Sequence, residues 1–475
     1  MLVSLGLGLL GGCETVERAK DAQARIAKCT NDVMVAQVGT NGVSRVNLVG
    51  CDFYEYVAYA MTNRPSLEVS RLAVSNAALA LASVTADREL QLSLSGGFSQ
   101  STMNSGSHFS WRQKRGRGSA DVSADLLICD FGRTDARELE ARENLVAAQR
   151  DLADREYEVF DEVAQAYFNL LRSDALLDVA RTNEHMHAEH LKQSELLFSS
   201  GEAKKLDVLK ARVDLSDARL ETINASNEVV TAGAEFLRSL GLESDRATRE
   251  DVLSVSPDAL NAFTNVLPTT TYTAAEGLQL ARTNAPSLMV LRAKLRASHA
   301  RVDYAIADLL PELTLSSAFS FADPTWNWSW GFRAIQSILD GFRRQTAVDS
   351  AVVDMESARA AVDVAEQKLS YDLSVAAAVR DNARQSLETA RVEVAQAKEN
   401  FDNVLMQYRV GDASRLDFTD AASTLASALG ARVKAFYAAE AAEARLIRLS
   451  GRVPSYGGGV SKKGTLREVN DEEMD

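Results

Sequence analysis

The chain has 475 residues, a formal net charge of −14 and only seven prolines. Its heavy use of Ala, Leu, Glu and Arg favours a mainly helical protein with some β structure. The negative charge argues against nucleic acid as a partner, because the phosphates would be repelled. No run approaches the roughly 20 apolar residues that a membrane-spanning helix needs, so contact with a membrane requires another kind of structure.

The N-terminus resembles a bacterial lipoprotein signal. Residues 1–12 are almost wholly apolar and glycine-rich, and small residues precede Cys13. We expect residues 1–12 to be a signal peptide, Cys13 to be the lipidated N-terminal residue and residues 13–54 to be an N-terminal periplasmic segment. The usual positive charges before the apolar run are missing, which a start codon placed too far downstream would explain. The alternative is a buried apolar N-terminus with an ordinary cysteine.

The cysteines and histidines do not predict a catalytic or metal site. Cys29 and Cys51 flank a loop that a disulfide would close in an oxidising compartment, and two free thiols are the alternative. Nothing has the spacing of a zinc site, and no Ser-His-Asp or Cys-His arrangement is present, so we expect no metal, no cofactor and no enzyme. His187 and His190 share a helical face with His185 nearby, and we interpret them as part of a solvated face.

The first half of the chain predicts a helix followed by a β-hairpin. A helical pattern starts near Glu55 and runs to about Asp87. Apolar and small polar residues then alternate from 90 to 99 and again from 120 to 128. A period of two indicates strands with two unlike faces. We therefore predict a β-hairpin over about 90–130.

A very long helix follows the predicted hairpin. No proline or glycine occurs from Thr134 to about Phe198, and such a helix would be on the order of 100 Å long. Gly201 is the expected helix stop, since glycine adopts positive φ without penalty. Residues along the helix alternate steps of three and four, the spacing of a coiled coil: Val163, Ala166, Leu170, Ser173, Leu177 and Ala180.

The second half of the chain repeats the first. Thr283–Leu288 matches Thr62–Leu67 at five of six positions with an offset of 221, whereas the offset is 210 from Asp130 onward. The difference falls in the strand-to-strand loop near Asp323, where a true duplication tolerates a change of length. We predict a first repeat over 55–241, with its helical tip at about 199–203, and an inter-repeat segment over 242–275. The second repeat covers 276–451, with a β-hairpin at about 311–340 and a tip at about 409–413. A flexible acidic tail follows over 452–475.

The four predicted strands require more than one chain. Two-stranded hairpins are not stable alone in water, and closed barrels are the β structures that cross a bilayer. Strands of about 9–11 residues span the bilayer when tilted. Four strands are too few to close a barrel, so several chains must contribute strands to one barrel.

Helix, β-hairpin, long helix, tip and helix, present twice, resembles the TolC family of outer-membrane export ducts. The resemblance covers about 52–451. It implies a homotrimer that combines a twelve-stranded β-barrel, four strands from each chain, with a long α-helical barrel. The motifs that carry it are the two strand-to-helix exits, Asp130-Phe131-Gly132-Arg133 and Asp340-Gly341-Phe342-Arg343, and the tip motif Tyr408-Arg409-Val410-Gly411 with Asp417 and Asp420.

The resemblance also implies a location and partners. The protein would sit in outer-membrane lipid, lipid-anchored and spanning, with a large periplasmic part, and would work with a periplasmic adaptor and an energy-supplying inner-membrane pump. The duct itself would conduct passively as part of a tripartite efflux system. A type I protein secretion system is the alternative, and a non-transporting periplasmic coiled-coil protein is a further one. The adaptor contacts would fall at the tips, on Gly201, Glu202, Val410, Gly411 and Asp412.

A gate at the periplasmic tip is implied as well. The family uses a tyrosine that hydrogen-bonds toward an aspartate on the neighbouring hairpin, and these positions match Tyr408 and Asp207. The family's gating arginine falls at Ala413 and is absent. We therefore predict a gate with fewer polar links, to which Arg409 or Arg415 contributes.

Two carboxylates near the second tip have competing interpretations. Asp417 and Asp420 lie three residues apart and share a helical face. Three chains would place six carboxylates around one axis, which favours cations and raises some carboxylate pKa values. The alternative for Asp417 is stabilisation of a helix N-terminus, because Asp207 is its counterpart in the first repeat. Lys210 stands where the second repeat has Asp420, so the fold is a weaker reason for Asp420.

Overall fold

The computed structural model describes residues 53–101, 115–201, 204–242, 266–268, 270, 273–322, 325–337, 339–410 and 412–452. Within these residues, eight helices and four strands form a helix–hairpin–long helix–helix unit that occurs twice, which confirms the predicted fold class. The elements are α1 (Phe53–Asn63), α2 (Pro65–Ala86), β1 (Gln91–Ser101), β2 (Arg115–Cys129), α3 (Arg133–Ser199), α4 (Lys205–Ser239), α5 (Ala274–Asn284), α6 (Pro286–Ala307), β3 (Glu312–Ala322), β4 (Thr325–Ile335), α7 (Arg343–Val410) and α8 (Arg415–Leu449).

Several predictions concern residues outside the described ranges and stay predictions. These are the signal peptide, the lipidated residue, the N-terminal disulfide, two of the adaptor-contact residues, the second strand turn and the acidic tail: residues 1–12, Cys13, Cys29, Cys51, Glu202, Gly411, Asp323 and residues 453–475.

The four strands form one antiparallel sheet in the order β1-β2-β3-β4. The register places apolar residues beside apolar residues, and polar beside polar, across all four strands. Leu94 lies opposite Val122, Val122 opposite Phe319, and Phe319 opposite Trp328. The adjacent row carries Ser95, Asp121, Ser320 and Asn327. The sheet therefore has one apolar and one polar face, as the period of two predicts.

The long helices α3 and α7 contain 67 and 68 residues. At 1.5 Å per residue, each is on the order of 100 Å long. The predicted coiled-coil positions of α3 are all buried: Val163, Ala166, Leu170, Ser173, Leu177 and Ala180.

The helices form two layers that share α3 and α7. In the half that carries the β-sheet, α2 packs on α3, α3 on α6, and α6 on α7. In the other half, α4 packs on α3, α3 on α8, and α8 on α7. Consequently α2, α4 and α7 lie at the edges of the helical layers, as β1 and β4 lie at the edges of the sheet.

The edge helix α2 corrects one prediction. It has 22 residues and an 18-residue window of mean hydropathy 1.3, of which 0% is buried, so among the described residues it passes the length and composition test for a membrane helix. The expectation that no segment is long and apolar enough for a membrane-spanning helix is therefore wrong for α2. The helix is bound along α3, and its exposed apolar side chains include Val69, Leu72 and Leu79.

The segment between the repeats is held by two buried glutamates of α8. Glu440 accepts hydrogen bonds from the backbone N–H groups of Val266 and Leu267, at 3.1 and 3.2 Å. Glu443 accepts one from the backbone N–H of Thr270 at 3.2 Å. Burial raises the pKa of Glu440, an effect that the two backbone hydrogen bonds oppose. These contacts fix the described part of the inter-repeat segment against α8.

Equivalent glycines follow the last helix of each repeat. Gly241 and Gly451 have φ values of 82° and 71°. A Cβ at Gly241 would lie 3.3 Å from Cα of Arg64, and one at Gly451 would lie 2.7 Å from the backbone of Asn284. Gly201 has a φ of 83°, but nothing lies within 4 Å of the place where its Cβ would be. Gly451 is therefore required for both its backbone conformation and its close contact.

We expect Gly451→Ala to lower the free energy of unfolding by about 3 kcal/mol. The left-handed conformation costs an alanine roughly 1–2 kcal/mol, and the overlap with Asn284 adds about 1–3 kcal/mol. Gly201→Ala, the control, carries the conformational cost alone. Denaturant unfolding followed by helical circular dichroism measures both variants. Equal losses for the two would contradict the close contact at Gly451.

Candidate functional site

The candidate site lies where the α3–α4 hairpin meets the α7–α8 hairpin near their tips. Ser414 starts α8 by a reciprocal cap: its Oγ accepts the backbone N–H of Asp417 at 3.2 Å, and the Asp417 carboxylate accepts the Ser414 N–H at 2.9 Å. Asp207 likewise accepts the backbone N–H of Lys204 at the start of α4, at 3.3 Å. Both aspartates therefore stabilise helix N-termini.

This capping supports one of the two interpretations of Asp417. The hydrogen bonds from Ser414 hold the pKa of the exposed Asp417 carboxyl below its usual value, whereas mutual repulsion would raise it. Within one protomer the interpretation as a helix cap fits Asp417. Asp420 differs, because its exposed carboxylate has no hydrogen bond or ion pair with any described residue.

Tyr408 contacts a histidine rather than the predicted aspartate. Its hydroxyl lies 3.0 Å from Nε2 of His190 on α3, so the predicted link to Asp207 is wrong in this structure. The physical reason is that the carboxylate of Asp207 is used as a helix cap. The rings of His190 and Tyr408 both stack on Phe418 of α8, with centroids 4.8 and 5.4 Å away.

A second polar link joins the same two hairpins. Nη1 of Arg415 on α8 donates to Oδ2 of Asp214 on α4 at 2.9 Å, and the two side chains are only 19% and 24% exposed. Arg415 thus takes part in an inter-hairpin contact. The side chain of Arg409 lies outside the described part of the chain.

The interpretation of the histidines as a solvated face is wrong for two of the three. His187 and His190 are 6% and 2% exposed, whereas His185 is exposed. The Nδ1 atoms of His187 and His190 have no hydrogen-bond partner among the described residues. Burial lowers the pKa of His190, the nearby Arg415 and His187 lower it as well, and Asp214 has the opposite effect, so that the pKa is about 4. Burial also lowers the pKa of His187.

A sequence signal for these buried histidines was present. The coiled-coil spacing of α3 continues beyond Ala180 in the same steps of three and four, through residues that are all buried: Asn183, His187, His190 and Ser194. Extending the pattern by two heptads identifies His190 as a residue that faces the neighbouring helices.

The tip ends are open to solvent. Val410 is 82% exposed, and Gly201 and Asp412 are exposed as well. Among the described residues, no group of three or more His, Cys, Asp or Glu side chains is arranged to hold a metal ion.

Comparison with known proteins places this geometry in a family. Residues 57–242 and 277–452, which lie over the two repeats, match the family described as "Outer membrane efflux protein". A curated relative, outer membrane efflux protein BepC of Brucella suis, is 23% identical over 349 residues, which cover 71% of this chain and 73% of BepC.

Solved structures show the same fold. The outer membrane protein VceC of Vibrio cholerae superposes with a TM-score of 0.72 at 17% identity, covering 84% of this chain and 96% of VceC. The CmeC outer membrane channel of Campylobacter jejuni gives a TM-score of 0.73 at 16% identity, covering 84% and 85%. The resemblance to TolC-like ducts is confirmed, and the chain is a non-enzymatic efflux channel protein of the outer membrane. Since the match extends over both repeats, the chain belongs to the outer membrane efflux protein family.

Proposed function

We propose that three copies of this chain form the outer-membrane duct of a tripartite efflux system. The duct passively conducts substrates from an inner-membrane pump across the periplasm and the outer membrane, and it closes at the helical tip. An adaptor binds at the exposed tip residues, and Cys13 carries a lipid anchor. The observation that carries the proposal is that each layer of the protomer ends in two edges suited to a neighbouring copy.

The sheet supplies the first pair of edges. Within the described strands, β1 pairs with β2 and β4 pairs with β3, so one edge of β1 and one edge of β4 remain free. A bilayer does not tolerate unpaired strand edges, whereas a closed barrel satisfies them. Pairing of β4 with β1 of the next copy closes the barrel. The apolar face of the sheet, which includes the exposed Trp326, Trp328 and Trp330 of β4, then faces lipid. The polar face lines the lumen.

The helices supply matching edges. One face of α4 packs on α3, and a second apolar stripe is exposed at positions that follow a seven-residue repeat: Leu206, Leu209, Val213, Leu220, Ile223 and Val230. On α7, exposed apolar residues also recur at multiples of seven: Val364, Tyr371, Val392 and Met406. Each stripe has the spacing of a helix-packing seam. In a ring of copies, α4 of one protomer meets the tip half of α7 of the next, which buries the α4 stripe against Val392 and Met406.

The gate consists of the contacts between the two hairpins of each protomer. Tyr408 with His190 and Arg415 with Asp214 hold the α7–α8 hairpin against the α3–α4 hairpin. Opening separates these groups. Asp420 contributes a free carboxylate near the axis of the trimer, so three such groups favour cations at the closed tip. Asp417 and Asp207 shape the tips as helix caps.

The proposed function is tested with the purified protein and with a deletion strain. We expect a detergent-stable trimer by native mass spectrometry and discrete channels in planar bilayers. We also expect the deletion strain to accumulate small toxic compounds. Loss of a secreted protein without accumulation of such compounds would indicate the type I secretion role instead. A monomer without channel activity would contradict the duct and support a structural coiled-coil protein.

A charge in the α4 stripe should prevent assembly. Leu220→Asp places a carboxylate within the proposed apolar seam, where burying an unpaired charge is strongly unfavourable. We expect monomers by native mass spectrometry with the helical content retained. Asn224→Asp adds the same charge at an exposed position of the same helix and should leave the trimer intact. Trimers of unchanged stability in Leu220→Asp would show that the stripe is not an interface.

Removal of the Tyr408 hydroxyl should loosen the gate. Tyr408→Phe reproduces the residue that the first repeat has at Phe198 and deprives a buried histidine of its partner, which weakens the contact by about 1–3 kcal/mol. We expect higher single-channel conductance in planar bilayers. Ser386→Ala removes an exposed hydroxyl from the same helix, outside the α7 stripe, and serves as the control. An unchanged conductance in Tyr408→Phe would remove this residue from the gate.

The Arg415–Asp214 pair should act as one unit in gating. Arg415→Gln and Asp214→Asn should each raise the open probability, and the double variant should match the larger single effect, with a coupling of about 1 kcal/mol. Arg212→Gln is the control, because Arg212 pairs at 2.9 Å with Glu195 inside the α3–α4 hairpin. We expect no gating change from it. Additive effects of the two Arg415–Asp214 substitutions would contradict a direct link.

A further inference from the structure

We infer that His190 makes the tip contact between the two hairpins sensitive to protons, so that acid releases the α7–α8 hairpin from the α3–α4 hairpin. This inference deepens the proposed gate and depends on it. We call the group of His190, Tyr408 and Phe418 the aromatic latch. Its members come from α3, α7 and α8, so that it joins elements of both hairpins.

The aromatic latch is built for a neutral histidine. His190 is 2% exposed, and its ring lies nearly parallel to that of Phe418, with an angle of 11° between the planes. In the neutral ring, Nε2 either accepts the Tyr408 proton or donates to the Tyr408 oxygen, at 3.0 Å. One polar contact therefore satisfies one nitrogen. The other nitrogen, Nδ1, is buried without a hydrogen-bond partner among the described residues.

Protonation turns both ring nitrogens into donors. The phenol oxygen of Tyr408 can accept from Nε2, but the described surroundings of Nδ1 offer no acceptor. Stacking on Phe418 favours a cation, yet an aromatic face does not replace a hydrogen-bond acceptor for a buried N–H. The charged ring is therefore better solvated when the hairpins separate and water reaches Nδ1.

The charges around the latch oppose a second cation. On α3 itself His187 lies one turn away, and on α8 Arg415 is positive. On α4 the carboxylate of Asp214 favours protonation, but it is already paired with Arg415 at 2.9 Å. On α7 the group that faces the ring is the hydroxyl of Tyr408. Burial and two cationic groups thus outweigh one shared carboxylate, and they lower the pKa of His190 to about 4.

The sign of the pH effect follows from this direction. In separated hairpins His190 titrates near its ordinary pKa of 6.5, whereas in the closed latch the pKa is about 4. The contribution to the closed state is therefore fully present above pH 6.5, is lost as pH falls and is gone below pH 4. The ratio of open to closed latches rises by up to about 300-fold per protomer, of which about 20-fold falls between pH 7 and pH 5.

The test combines hydrogen exchange at the tip with channel recording at pH 7 and pH 5. In the wild-type trimer we expect faster backbone exchange at the end of α7 and the start of α8 at pH 5, after correction for intrinsic exchange rates, together with a higher open probability. His190→Gln keeps a neutral group that can bond to Tyr408, so the response should disappear while the closed state at pH 7 remains. His185→Gln, at an exposed position of the same helix, should respond like wild type.

Three outcomes overturn the inference. The first is wild-type tip exchange that is unchanged down to pH 4.5, a result that needs no variant. The second is an acid response that persists in His190→Gln, because a group other than His190 would then carry it. The third is a His185→Gln protein that has lost the response. Absence of channels at every pH would instead contradict the proposed duct, and the exchange measurement on purified protein keeps the two failures distinguishable.

Discussion

The open edges of the four-stranded sheet are the constraint on which the rest of the structure depends. Hydrogen bonding stops at β1 on one side and at β4 on the other, and unpaired backbone groups in a bilayer cost several kcal/mol each. In the trimer that we propose, neighbouring copies remove that cost by continuing the sheet into a barrel. The same ring brings together the helical edges, α2, α4 and α7, so one requirement of the backbone explains why so much apolar surface is exposed in a single protomer.

The internal duplication distinguishes contacts that shape each hairpin from contacts that join the two hairpins. Both repeats use an aspartate, Asp207 or Asp417, to cap the helix that follows the tip. A feature with the same role in both copies belongs to the hairpin itself. Tyr408 replaces the phenylalanine of the first repeat and adds the hydroxyl that reaches His190. The contact between the two hairpins therefore depends on a place where the two copies differ, because it needs unlike partners.

Among the described residues near the tip, two polar links join the hairpins, and their apolar surroundings determine their strength. The two links that we describe are buried or half-buried beside a cluster that includes Phe401 and Phe418. Low exposure strengthens each link and makes an unsatisfied group costly. In the proposed gate, two such links suit a closure that must open reversibly, because the charge of one group affects each link. An extended apolar seam alone would respond little to its surroundings.

The sequence by itself determined the features that repeat along one element. The unlike faces of the sheet, the buried positions from Val163 to Ala180 and the duplicated order of elements all follow from periods of two and of seven, which depend only on local backbone geometry. The tertiary structure alone decided that Tyr408 bonds to His190, that Arg415 bonds to Asp214 and that α2 lies at an edge. Such pairs join residues about 200 positions apart, and their contact depends on the axial shift and rotation of packed helices, which no local pattern encodes.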